Sequence, residues 1–268
     1  MFYIKKLIFL KEVKNLICII QARMGSTRLP GKVLRKICGK PMLKLLVERV
    51  ENAKLIDQVV IATTTKTEDD EIENVCKNNK IKYYRGQEDD VLDRYYNACR
   101  QNEVADDDGV VRVTGDCPLI DPEIIDRVIS LYADKKVDYA SNINPPTFPD
   151  GMDVEVIKFS SLKKAWEEAN LKSEREHVTP YIRKHTDIFT HVNLENDIDL
   201  TKMRLTVDNQ EDFEVIEFVF NRLYKDKGIF SINEVYSLMN KNSEMFKKNS
   251  FYQRNEGYLK SIQNDKEV

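Results

Sequence analysis

The chain lacks a dominant charge, a long apolar run, a cysteine pair and any internal repeat, and each absence removes a class of function. A formal net charge of −3, with 32% of the 268 residues charged, is not the basic balance of a general nucleic-acid binder. Local basic clusters can still grip a small polyanion. The early apolar patches at residues 1–4 and 7–10 are interrupted by Lys5 and Lys6. Neither approaches the roughly 20 residues of a membrane helix, and no small-residue cleavage site follows. Residues 1–14 are expected to be an extension or a mis-assigned start, with no membrane span. The five cysteines (Cys18, Cys38, Cys76, Cys99, Cys117) contain no C-x-x-C pair and read as isolated thiols of a reducing, cytoplasmic compartment. No Ser/His/Asp or Cys/His arrangement points to a covalent nucleophile.

What the chain does have is concentrated in Ile19-Ile20-Gln21-Ala22-Arg23-Met24-Gly25-Ser26-Thr27-Arg28-Leu29-Pro30-Gly31-Lys32. An apolar run ends in a glycine-containing turn with three cations, Arg23, Arg28 and Lys32. Small residues let backbone N–H groups approach phosphate oxygens, and the cations neutralise charge. The loop is not a Walker A motif, because Gly25 and Gly31 are one residue too far apart and Val33 follows Lys32. It fits a triphosphate grip of another kind.

The first half alternates between strand and helix patterns. Strands are predicted at residues 16–20, 58–62, 81–84 and 109–114, and helices at 41–53, from 68–71 onward, at 91–102 and at 123–133. Asp121 and Pro122 suit the N-cap and first helical position of the last of these. Such alternation implies right-handed βαβ units and a mainly parallel sheet with helices on both faces. Later, residues 142–151 read as a loop, 153–157, 190–194 and 202–207 as strands, and 160–169, 173–185, 211–224 and 232–240 as helices. The tail from Asn242 is polar and weakly specified.

Five blocks together resemble a known family: the opening segment, Arg112-Val113-Thr114-Gly115-Asp116-Cys117-Pro118-Leu119-Ile120, Phe148-Pro149-Asp150-Gly151-Met152-Asp153-Val154-Glu155, Arg175-Glu176-His177-Val178-Thr179 and Leu205-Thr206-Val207-Asp208. In this order, over about residues 15–225, they resemble the sugar cytidylyltransferases, and within them the branch of spore coat polysaccharide biosynthesis protein F. The resemblance implies a three-layer, Rossmann-like nucleotidyltransferase fold of the α/β class, CTP as donor and Mg²⁺ as cofactor. On this reading residues 15–241 form the nucleotidyltransferase domain, with an acceptor and dimerisation insertion at about 142–200, and 242–268 form a tail. Family members often carry Thr-Pro after the second aspartate, where this chain has Asn209-Gln210.

Residue by residue, Gly25 and Ser26 are placed for backbone contact with the β- and γ-phosphates, and Arg23 and Lys32 bracket the triphosphate with help from Arg28. Asp116 follows a predicted central strand, at the sheet end where open α/β sheets bind ligands, and suits Mg²⁺ on the α-phosphate. Its alternative is a turn aspartate before Pro118. Asp208 is read as the second metal ligand, and taken alone it reads as a helix N-cap. The base candidates are Gln21, Ala22, Thr63 and Gln87. The acceptor candidates are Asp150, Asp153, Glu155, Arg175 and His177, with His177 equally readable as structural or as a dimer contact. Phe148, Met152 and Phe189 are expected to be exposed and to form a homodimer contact. The D-x-D patterns at Asp106-Asp107-Asp108 and Asp197-Ile198-Asp199 are expected to be solvated surface.

The expected reaction is CMP transfer from CTP to an acidic sugar or related acceptor, releasing pyrophosphate, with Arg23, Lys32 and Asp116 as its catalytic residues. The rival is a glycosyltransferase that consumes a nucleotide-sugar donor.

Overall fold

The computed structural model describes residues 15–267, so the expected N-terminal extension at 1–14 lies outside the described residues. Strand β1 (Leu16–Gln21) is apolar at successive positions because both its faces are covered. Ile17 and Ile19 enter one core, while Cys18 and Ile20 enter the other. A small hairpin, β2 (Lys36–Ile37) and β3 (Lys40–Pro41), precedes helix α1 (Met42–Val50). Then come β4 (Gln58–Thr64), α2 (Asp70–Asn79), β5 (Lys82–Gly86), α3 (Val91–Gln101), β6 (Gly109–Thr114) and α4 (Pro122–Lys135). Asp121 caps α4 as the sequence predicts, accepting from the Glu123 N–H at 2.8 Å.

The remaining strands are β7 (Tyr139–Ser141), β8 (Glu155–Lys158) and β9 (His191–Asn193), giving one seven-stranded sheet in the order β5-β4-β1-β6-β8-β7-β9. Strands β5, β4, β1 and β6 run parallel, β8 is antiparallel to both β6 and β7, and β7 pairs with β9 in parallel. With helices on both faces this is a three-layer, Rossmann-like α/β architecture. The expected α/β class therefore holds.

The second half departs from the sequence expectations in several places. The helix expected over 173–185 is two helices, α6 (Lys172–His177) and α7 (Pro180–Lys184), following α5 (Phe159–Glu168). Val178 takes a φ of 71°, and Pro180 has no N–H to extend the preceding turn. The strand expected over 202–207 does not join the sheet. Its backbone instead pairs locally: Leu205 N–H donates to Asp150 O at 2.7 Å and Val207 N–H to Asp116 O at 2.8 Å. Helices α8 (Gln210–Lys227) and α9 (Ile232–Lys241) follow, and the tail forms α10 (Ser243–Lys247) and α11 (Glu256–Gln263). Asn209 is the N-cap of α8.

Phe148, Met152 and Phe189 are not exposed, at 1%, 0% and 4% accessibility, so none offers a dimer contact. The first two fill the core beneath the 148–154 turn, and Phe189 packs against Tyr181. No helix among the described residues is long and apolar enough to cross a membrane.

Gly151 governs the placement of the 203–207 segment. Its φ is +100°, and a Cβ there would lie 2.5 Å from the Leu205 carbonyl carbon. Gly151→Ala is expected to cost roughly 2–3 kcal/mol, read as a lower urea midpoint.

Candidate active site

At the carboxyl ends of β1 and β6 lies a cavity of about 520 Å³, where a sheet of this kind binds its ligands. Seven loop and strand residues singled out in the sequence border it: Gln21, Ala22, Arg23, Gly25, Ser26, Arg28 and Lys32. The loop folds onto itself, with Met24 O accepting from Ser26 N–H at 2.8 Å and from Gly31 N–H at 3.0 Å. Asp69, fully buried, accepts from Met24 N–H at 2.6 Å and also binds Thr64. This carboxylate fastens the loop to the end of β4.

Asp116 and Asp208 meet on Lys32. Its ammonium lies 3.2 Å from Asp116 Oδ2, 2.9 Å from Asp208 Oδ1 and 2.6 Å from Val207 O. Burial opposes ionisation of Asp116, but the Lys32 charge and a hydrogen bond from Thr114 outweigh it and hold the carboxyl below its usual range. Asp208 is also paired with Arg28 and Arg204, at 3.1 and 3.0 Å. Arg204 is buried and reaches Asp150 and Asp212, both at 2.8 Å, so one guanidinium ties three carboxylates together. Arg23 pairs with Glu88 at 3.0 Å.

The acceptor candidates divide. Asp150, Asp153 and His177 border the cavity. Glu155 does not: it is buried behind Arg112, accepting from that guanidinium, from Tyr139 at 2.5 Å and from Thr179 at 2.7 Å. Arg175 is also turned away, binding Asp90 at the start of α3 and the Trp166 carbonyl, which docks α6 on its neighbours. Of the base candidates, Thr63 is fully buried with its hydroxyl unpartnered, and Gln87 is exposed. Neither borders the cavity, because β4 turns Thr63 inward and Gln87 lies beyond the end of β5. Neither D-x-D cluster reaches it either: Asp108 binds Ala105 N–H and Asp199 binds Thr201.

Several cavity residues were not singled out from sequence. Arg112 and Thr114 share one strand face at i and i+2, a signal the alternation of β6 carries. Arg204 and the tail residues 255–258 carry no comparable local signal.

A family model described as Cytidylyltransferase matches residues 17–256. The chain belongs to the cytidylyltransferase family. It is 35% identical over 239 residues to the spore coat polysaccharide biosynthesis protein SpsF of Bacillus subtilis, covering 87% of this chain and 97% of that one. It is 38% identical over 120 residues to the 8-amino-3,8-dideoxy-manno-octulosonate cytidylyltransferase of Shewanella piezotolerans, 44% of this chain and 47% of that enzyme. A solved cytidylyltransferase structure from Leptospira borgpetersenii superposes with a TM-score of 0.81 at 34% identity, covering 89% of this chain and 99% of that one.

The side of the cavity lined by Asp150, Asp153 and His177 holds an unusual carboxyl. Burial pushes Asp153 up to about 7, and Arg254, its ion-pair partner, only partly opposes the shift. The folded chain thus holds more protons at this site than the unfolded chain between about pH 4 and 7. The stability that Asp153 contributes is present below that window and is lost as pH rises through about 7. Asp153→Asn should therefore gain stability relative to the parent between pH 4.5 and 7.5, measured by urea midpoints at both values.

Proposed function

We propose that the chain transfers CMP from CTP to an acidic sugar or related acceptor and releases pyrophosphate, in the synthesis of a surface polysaccharide or glycoconjugate. The observation that carries the reading is the meeting of the phosphate-loop Lys32 with Asp116 and Asp208 at the carboxyl end of the parallel strands. Family membership supports the reaction type. The octulosonate relative, matched over less than half its length, supports a sugar-acid acceptor, and the spore coat relative supports a polysaccharide product.

The same residues suit Mg²⁺. Two carboxylates and the Val207 carbonyl already enclose one cation, the Lys32 ammonium, and such hard oxygens match an ion that takes one or two carboxylates and completes its shell with phosphates and water. Asp116 and Asp208 would hold it, and when bound it would neutralise the α-phosphate and lower the pKa of the acceptor hydroxyl.

The chain's own residues supply positioning and charge. Gln21 and Ala22 at the end of β1 border the nucleotide, while Gly25 and Ser26 follow the phosphates. The acceptor hydroxyl releases its proton to solvent as its oxygen attacks the α-phosphorus in line, the bond to the bridging oxygen breaks, and pyrophosphate leaves with the electron pair. Lys32, Arg28 and Arg23 neutralise the charge that builds on the leaving group. Asp150, Asp153 and His177 face the acceptor. Burial pushes the His177 imidazole down to about 4, so it meets the acceptor as a neutral hydrogen-bonding group at pH 7. A glycosyltransferase reading is not favoured, since both D-x-D clusters lie off the cavity.

Asp116→Asn or Asp208→Asn should lower pyrophosphate release from CTP and a panel of acidic sugars by at least about 100-fold, with the fold retained. Chelation should stop the parent enzyme, and added Mg²⁺ should restore it. Undiminished release in either variant would sink the assignment of the two carboxylates.

A further inference from the structure

The C-terminal helix α11 reaches the cavity although the family match ends at its first residue, Glu256. Residues 255–258 border the cavity on the side facing the phosphate loop and α6. The attachment is mainly polar, with one aromatic contact, and no residue of α11 is buried. At its far end Ser173 donates twice to Asp265, at 2.9 and 2.6 Å, and Lys172 N–H donates to Lys266 O. In the middle Ser261 bonds His177 at 3.0 Å, with Tyr258 edge-on to the same imidazole. At the near end Glu256 accepts from Arg28 at 3.1 Å, and Arg28 also holds Asp208 at 3.1 Å. Just before the helix, Arg254 is anchored on Asp153 and on Phe148 O, and Asn255 turns the chain with a φ of 58°.

A carboxylate at the very end of the family match thus sits on a cation of the phosphate loop. A triphosphate brings several negative charges to the same guanidinium and cannot share its outward N–H groups with Glu256. We propose that α11 is a built-in competitor: Glu256 holds on Arg28 the place of a phosphate oxygen, and triphosphate binding lifts the first turn of α11 away while its far end stays docked on α6. The helix suits this role because its hold consists of exposed or half-exposed polar contacts, each weak enough to exchange. Lys260, one turn on at 2.7 Å, receives the displaced carboxylate. The inference rests on the loop being a triphosphate grip, as in the function proposed above.

The test is calorimetric binding of inorganic triphosphate, and separately of CTP with Mg²⁺, to the full chain and to Glu256→Gln. The variant should bind triphosphate about two- to five-fold more tightly at low salt, with the gap closing at high salt. In the parent, triphosphate should speed amide exchange at residues 256–260 and leave 172–177 unchanged. Equal or weaker binding by the variant, or slowed exchange at 256–260, would overturn the competitor role. If triphosphate shows the difference but CTP does not bind, the cytidylyl reading falls and the competitor stands. If neither ligand binds, both fall.

Discussion

The Lys32 ammonium, held by Asp116, Asp208 and the Val207 carbonyl, joins three parts of the chain that have no sequence proximity. It fixes the end of the phosphate loop, the end of the central strand β6 and the start of α8 in one place. The backbone supports this junction independently, because Val207 N–H and the Thr206 hydroxyl both bind the Asp116 carbonyl. A loop, a strand end and an irregular segment therefore present their charges to the same few ångströms. Any chemistry at this sheet end inherits that geometry.

Charge is satisfied here by sharing rather than by exclusion from the interior. A buried ion stripped of water is costly unless partners with good geometry replace the lost hydration. Arg204 meets this demand with three aspartates, and Glu155 meets it with Arg112 and two hydroxyls. The arrangement also assigns roles. Glu155 and Arg175 spend their charges on holding other groups, which leaves Arg112, Asp150, Asp153 and His177 at the cavity surface. A carboxylate in a tempting motif can thus be structural while its neighbour two residues away faces the cavity.

The phosphate loop shows the same economy. Its cations are all engaged by acids of the protein: Arg23 by Glu88, Lys32 by the two aspartates, and Arg28 by Asp208 and Glu256. On the function proposed above, phosphates would exchange with these carboxylates instead of adding charge pairs outright, and affinity would depend on which acids yield.

Much of this was written in local pattern. An uninterrupted apolar run announced β1, a valine-rich one announced β6, Asp121-Pro122 announced α4, and the residues following the strands announced the loop and Asp116, because each signal depends only on neighbours along the chain. Asp208 was read beside Asp116 as a second carboxylate, but the local pattern around it announced only a helix start and gave no means of bringing the two together. That pairing requires Gly151 to admit the 203–207 segment and Asp116 O to receive it. The burial of Phe148 and Met152, the withdrawal of Glu155 and Arg175, the anchoring of the loop by Asp69, and the arrival of Glu256 were likewise decided only in the folded chain. Periodicity records that a face will be covered, while only tertiary packing decides which segment covers it and which charge it brings.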